Sequence, residues 1–214
     1  MKSNLTELVF IIDRSGSMSG LEKDTIGGYN GFIEKQKAEP SEAVLSTVLF
    51  DNQYELLHNR QDIKTIAPLT QKEYFVRGTT ALLDAIGITI TTVEREHCAL
   101  EVERPEKVLF IIITDGMENS SKEYTVEKIR SMIEQQKEKS AWEFLFLGAN
   151  IDAIGTAQNF GIAKERAVQF HCDSAGIDEC YHAIEMSVSH FRNSNKISDN
   201  WKEKIEIDFE ERGK

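Results

Sequence analysis

Cysteine, proline and positive charge are all scarce in this sequence. Its three cysteines, Cys98, Cys172 and Cys180, are odd in number and show no C-x-x-C spacing. A secreted disulfide scaffold is denser in cysteine and even in count, so a reducing, cytoplasmic setting is expected. Only 3 prolines occur among 214 residues, and no stretch rich in Pro, Gly or Ser divides the chain. Basic residues number 25 against 36 acidic ones, a net charge of −11. That balance argues against sequence-independent nucleic-acid binding, which depends on basic residues releasing counterions from phosphate, and equally against adsorption to an anionic membrane. The apolar run at residues 8–12 (LVFII) stops at Asp13. It is too short for a signal-peptide core and far too short for a membrane span.

What is present is an ordinary globular composition, 40% apolar and 29% charged, in a chain long enough to bury a full core. Two runs, residues 8–12 and 108–114 (VLFIIIT), are apolar throughout, as strands buried on both faces are. Residues 43–50 and 53–57 read as two further strands joined at Asp51-Asn52, with 142–147 and 167–170 as two more. Between them, apolar residues recur at helical spacing: Leu21, Ile26, Tyr29 and Ile33, then Leu83, Ile86, Ile90 and Val93, then Ile129, Met132 and Ile133. A short helix ends near Gly161, and the last clear helix carries Ile177, Tyr181, Ile184, Val188 and Phe191, capped by Asp173 or Ser174. Residues 94–106 read as a charged connector, and 58–78 as mixed and polar. The alternation predicts a single α/β domain with a mostly parallel sheet and helices on both faces. The tail from Asn193 is polar. Ile205, Ile207 and Phe209 alternate with Glu206 and Asp208, so residues 204–210 read as an extended edge segment, and Trp201, Ile205 and Phe209 fit a helix stripe almost as well.

In such sheets ligands bind beyond the C-terminal ends of the strands, where the strand order reverses. The two most apolar strands each run into an aspartate, the first into Asp13-Arg14-Ser15-Gly16-Ser17 and the second into Thr114-Asp115-Gly116. If they are neighbours, two carboxylates and two hydroxyls meet on one rim. An oxygen-only cluster of this kind suits a hard divalent cation.

Asp13-Arg14-Ser15-Gly16-Ser17-Met18, Gly78-Thr79-Thr80-Ala81-Leu82-Leu83-Asp84-Ala85-Ile86 and Ile113-Thr114-Asp115-Gly116 together resemble the von Willebrand factor A (vWA) domain. They are similar to its metal-ion-dependent adhesion site, D-x-S-x-S…T…D. The resemblance covers residues 5–192, leaving 193–214 as a polar C-terminal tail, and is nearest to stand-alone bacterial or phage members, an impression that residues 146–150 (FLGAN) share more loosely. It implies a Rossmann-like domain with six strands, one of them an antiparallel edge strand. It also implies a metal on the upper rim held by Ser15, Ser17 and Thr80, with Asp13 and Asp115 binding directly or through water. Mg²⁺ is the expected ion, with Mn²⁺ or Ca²⁺ as alternatives. The family's common G-G-T is here Gly78-Thr79-Thr80; Thr80 is taken as the ligand and Thr79 as its rival. The implied function is binding of a protein partner that presents Asp or Glu to the metal.

Other readings are set against these. His171, Cys172, Cys180 and His182 match no compact zinc spacing. Gly27, Gly28 and Gly31 fit close helix packing better than phosphate binding, since no G-x-x-x-x-G-K or G-x-G-x-x-G occurs. The enzymatic alternative is a Mg²⁺-dependent phosphatase of the haloacid dehalogenase type using Asp13 as nucleophile. That chemistry needs a second acid two residues on, where this chain has Ser15. No catalytic residue is expected.

Overall fold

The computed structural model describes residues 2–100 and 104–213. Six strands form one sheet in the order β3-β2-β1-β4-β5-β6. They are β1 (Lys2–Asp13), β2 (Glu42–Phe50), β3 (Tyr54–Asp62), β4 (Pro105–Thr114), β5 (Glu143–Ala149) and β6 (Ala167–Phe170). All neighbours are parallel except β2 and β3, the antiparallel edge pair. The helices are α1 (Glu22–Ala38), α2 (Leu82–Leu100), α3 (Val126–Ser140), α4 (Ala153–Asn159), α5 (Ser174–Ser194) and α6 (Glu203–Arg212). The architecture is a Rossmann-like layer with helices on both faces. No helix among the described residues is long and apolar enough to cross a membrane.

The all-apolar runs within β1 and β4 follow from burial on two sides. Leu8, Phe10 and Ile12 of β1 and Leu109, Ile111 and Ile113 of β4 enter one core with Tyr29 and Phe32 of α1 and Ile184 and Phe191 of α5. Val9 of β1 and Val108, Phe110 and Ile112 of β4 enter the other, against Ile86 and Ile90 of α2 and Ile129 and Ile133 of α3. The register Ile12↔Ile113 between β1 and β4 brings the C-terminal ends of both strands level.

Four expectations change in detail. The residues read as a connector at 94–106 are largely helix: α2 continues to Leu100 and β4 opens at Pro105, with 101–103 outside the described residues. Val93 and His97 stay buried one turn apart while Arg95 faces solvent, so charge on the outer face hid the helix. Second, β3 runs on to Asp62 through irregular pairing with β2, which broke the alternation expected of a strand. Third, residues 203–212 form a helix. Trp201 and Ile205 lie in the core and Ile207 is exposed, so the four-residue stripe prevails over alternation. Fourth, only Gly28 of the three α1 glycines allows close packing: a Cβ there would stand 2.2 Å from the Tyr181 ring, whereas Gly27 and Gly31 face open space.

The four-residue β6 closes the sheet, and its surroundings are bonded by the approach to α6. Lys202 Nζ donates to the Ala167 carbonyl at 2.9 Å and the Lys164 carbonyl at 3.0 Å, and Trp201 Nε1 donates to the Glu165 carbonyl at 2.8 Å.

Candidate metal centre

The rim above β1 and β4 is the point where the chain order of the sheet reverses, since β2 lies to one side of β1 and β4 to the other. Asp13 ends β1 and is fully buried. Its Oδ1 accepts the Ser15 amide at 2.7 Å and its Oδ2 accepts the Thr114 hydroxyl at 2.6 Å. Tyr74 holds the Asp13 carbonyl with its own hydroxyl at 2.7 Å. Burial pushes the Asp13 carboxyl up to about 6, against the lowering effect of the Thr114 and Ser15 bonds.

After Asp13 the chain makes one tight turn at Gly16–Met18, which presents Ser15 and Ser17 on the same side. Their hydroxyl oxygens are 3.1 Å apart, and Thr80 Oγ1 donates to Ser15 Oγ at 2.9 Å. Ser17 Oγ donates to Asp115 Oδ1 at 2.5 Å. Thr80 is buried and joins this group, whereas Thr79 is exposed beside it. Five side chains named from the sequence, Asp13, Ser15, Ser17, Thr80 and Asp115, thus converge on one rim.

Thr80 is placed by backbone bonds on two sides. The Gly16 amide reaches the Gly78 carbonyl at 3.1 Å, with Gly78 at φ +69 where a side chain would be strained and would strike Asn52. Asn119 Oδ1 accepts the Thr80 amide and the Asn119 amide donates back to the Thr80 carbonyl, both at 3.0 Å. Glu118 accepts the Leu83 amide at 2.9 Å, so the loop after β4 caps the first turn of α2. Gly116 leaves room directly over the hydroxyls: a Cβ there would lie 3.0 Å from Thr80 Oγ1 and 3.1 Å from Ser17 Oγ.

Arg14, inside the D-x-S-x-S stretch, turns away from the cluster. It is fully buried and pairs with Asp51 at 3.0 Å, whose Oδ2 also takes Arg77 at 2.8 Å. Asp51 so ties the segment that follows β1 to the one that precedes Thr80.

No spacing marks Thr114, Asn119 or Glu118 as supports, because their bonds join residues that meet only in the fold. Cys172 carries no signal in the sequence beyond a spacing that matches no compact zinc site. Its Sγ in fact donates to Asp115 Oδ2 at 3.4 Å, while Cys180 is buried in the core and His171 stacks on Phe209. The four residues of the zinc hypothesis do not converge. Burial raises Asp115 above the usual carboxylate range, and burial together with the Asp115 charge pushes Cys172 up to about 11.

No three His, Cys, Asp or Glu side chains among the described residues form a metal-donor group. The rim instead offers three hydroxyls and two carboxylates, all oxygen, the donor class that hard divalent cations take. Two carboxylates raised by burial, with a glycine keeping the space above the hydroxyls clear, fit such an ion.

No family model and no curated protein matches this chain. Solved structures do. Proximal thread matrix protein 1 from the mussel byssus, with a zinc-occupied MIDAS motif, aligns at TM-score 0.57 and 15% identity over 86% of this chain and 46% of that one. Manganese-loaded TRAP protein of Plasmodium vivax aligns at TM-score 0.56 and 15% identity, over 82% of this chain and 71% of that one. The von Willebrand factor type A protein of Catenulispora acidiphila aligns at TM-score 0.55 and 14% identity, over 86% of this chain and 42% of that one. This chain therefore spans about half the length of the mussel and Catenulispora proteins. At such identities the likeness is one of architecture, and the architecture is the von Willebrand factor A fold.

Proposed function

We propose that this chain is a protein-binding module that holds a divalent cation, Mg²⁺ or in its place Mn²⁺ or Ca²⁺, at Asp13, Ser15, Ser17, Thr80 and Asp115. Through that ion it would engage an Asp or Glu of a partner protein. One observation carries the reading: three hydroxyl oxygens, from loops 65 residues apart, stand 2.9 and 3.1 Å from one another against two carboxylates at the switch point. Metal-bearing structures of the same fold, the zinc-occupied mussel protein and manganese-loaded TRAP, support it. Bound there, the cation would supply a positive charge and a coordination position for a partner carboxylate.

The chain's own residues suit that role. Neutral hydroxyls leave an ion more of its charge than carboxylates would. Asp13 is fixed by Thr114 and the Ser15 amide, and Asp115 by Ser17 and Cys172. A chain of net charge −11 repels acidic partners, so local reversal of charge makes capture depend on the ion. The non-catalytic reading is supported by Ser15, whose hydroxyl pairs with Ser17 and Thr80 where a phosphatase of the Asp-nucleophile type needs a second acid.

The test is calorimetric titration of Mn²⁺ into wild type, Ser15→Ala and Asp13→Ala. Saturable binding to wild type, weakened in Ser15→Ala and abolished in Asp13→Ala, is expected; equal heats in all three would sink the reading. Partner capture should be lost with EDTA and in Thr80→Ala.

A further inference from the structure

We propose that Cys172 is a positioning residue for Asp115, and that the C-terminal helix α6 sets its position. The inference rests on the metal-site reading above and adds a control element to it.

Cys172 comes from the far side of the sheet. It follows β6, and β5 lies between β6 and β4, so its thiol reaches Asp115 across the end of an intervening strand. The two oxygens of Asp115 are then both engaged, Oδ1 by the Ser17 hydroxyl at 2.5 Å and Oδ2 by the thiol at 3.4 Å. With both edges held, the carboxylate cannot swing, and it presents a single oxygen to the hydroxyl cluster. Hydrogen bonds to a ligating carboxylate set its orientation and the affinity of the site.

The residues on either side of Cys172 are both fastened to α6. The His171 ring stacks on Phe209 at 4.5 Å between centroids, and its Nε2 donates to the Phe209 carbonyl at 3.1 Å. Asp173 caps α5 through the Gly176 amide at 2.9 Å and takes Arg212 Nη1 at 2.5 Å. Arg212 is itself braced by Asp208, with Nε to Oδ1 at 2.8 Å. Residues 171–173 are thus clamped at both ends by the last turns of the chain, with the thiol between them aimed at the rim. Release of α6 frees the segment and, with it, one edge of Asp115.

The experiment measures Mn²⁺ affinity by calorimetry in wild type, Cys172→Ala, Cys172→Ser, Phe209→Ala/Arg212→Ala, and that pair combined with Cys172→Ala. Thermal unfolding of each variant confirms a folded core. Cys172→Ala should weaken Mn²⁺ about tenfold, the lower end for an outer hydrogen-bond partner because a thiol is a weak donor. Cys172→Ser, which keeps a donor, should restore affinity. The α6 pair should lose part of the affinity in wild type and nothing further in the Cys172→Ala background. Wild-type affinity in Cys172→Ala, or additive losses in the combined variant, overturns the proposal. A second measurement needs no metal: maleimide labelling of Cys172 in EDTA, followed by peptide mass spectrometry with exposed Cys98 as reference. Labelling should accelerate in the α6 pair, and an unchanged rate overturns the clamp. A wild type that binds no Mn²⁺ but shows the accelerated labelling overturns the metal reading while leaving the α6–Cys172 coupling standing.

Discussion

Asp13 is pulled in two directions by its place in the fold. Folding buries it and raises its carboxyl from 3.8 to about 6, so the native state favours the protonated form. A group raised in this way adds stability below its unfolded pKa and loses it as pH climbs through the folded value. At pH 7 the charged, metal-free site therefore carries a penalty of up to about 3 kcal/mol. Asp13→Asn removes the charge and keeps the shape, since Thr114 can turn its hydroxyl toward the Gly116 carbonyl, 3.3 Å away, and accept from the new amide. In EDTA, urea denaturation should show Asp13→Asn more stable than wild type at pH 7, with the difference fading by about pH 4. In saturating Mg²⁺ the order should reverse. No reversal would mean that the carboxylate does nothing for an ion. The conflict was half legible in the sequence: Asp13 at the end of an apolar strand announces a buried acid. Thr114 and Cys172, the donors that hold the two acids, were not legible, because nothing in a spacing reveals which side chains meet across strands.

Among the elements, α1 offers a contrast within one helix. Gly28 lies against the Tyr181 ring of α5, 2.2 Å from where a Cβ would stand. Gly28→Ala should destabilise by about 1–3 kcal/mol through forced displacement of that ring. Gly27 and Gly31 meet nothing within 4 Å, and alanine at either should stabilise by about 0.5–1 kcal/mol through helix propensity. Thermal unfolding of the three single variants checks both signs. Strands β1 and β4 were plain from the sequence because burial on both faces leaves an unbroken apolar run, and α2 and α5 because one buried face leaves a stripe. The end of α2 was hidden by its charged outer face. The helix α6 was ambiguous because Ile205, Ile207 and Phe209 satisfy two periods at once, and only the docking of Trp201 and Ile205 into the core decides between them. Ile205→Ala should accordingly cost about 2–5 kcal/mol, measurable by denaturant titration.

For the molecule as a whole, an ion that binds only the folded chain shifts its unfolding. At a concentration a hundredfold above the dissociation constant, the native state gains about 2.7 kcal/mol. For a chain of 214 residues this raises Tm by roughly 5–10 °C. Ser17→Ala should show no comparable rise at the same Mg²⁺ concentration, and an equal rise in both would place the ion elsewhere. The other end of the sheet has a different vulnerability. Beyond β6 an edge strand carries backbone groups that can template a strand from another molecule. Here Lys202 and Trp201 occupy carbonyls at that edge and just before it. Removing these three bonds while keeping an aromatic ring in the core would free that border, so Lys202→Ala with Trp201→Phe should yield native-like chains that join edge to edge. Static light scattering that grows with protein concentration, at a Tm little changed, is the signature. The final segment would then serve as a guard against intermolecular strand pairing, keeping a six-stranded sheet from becoming the first rung of a polymer.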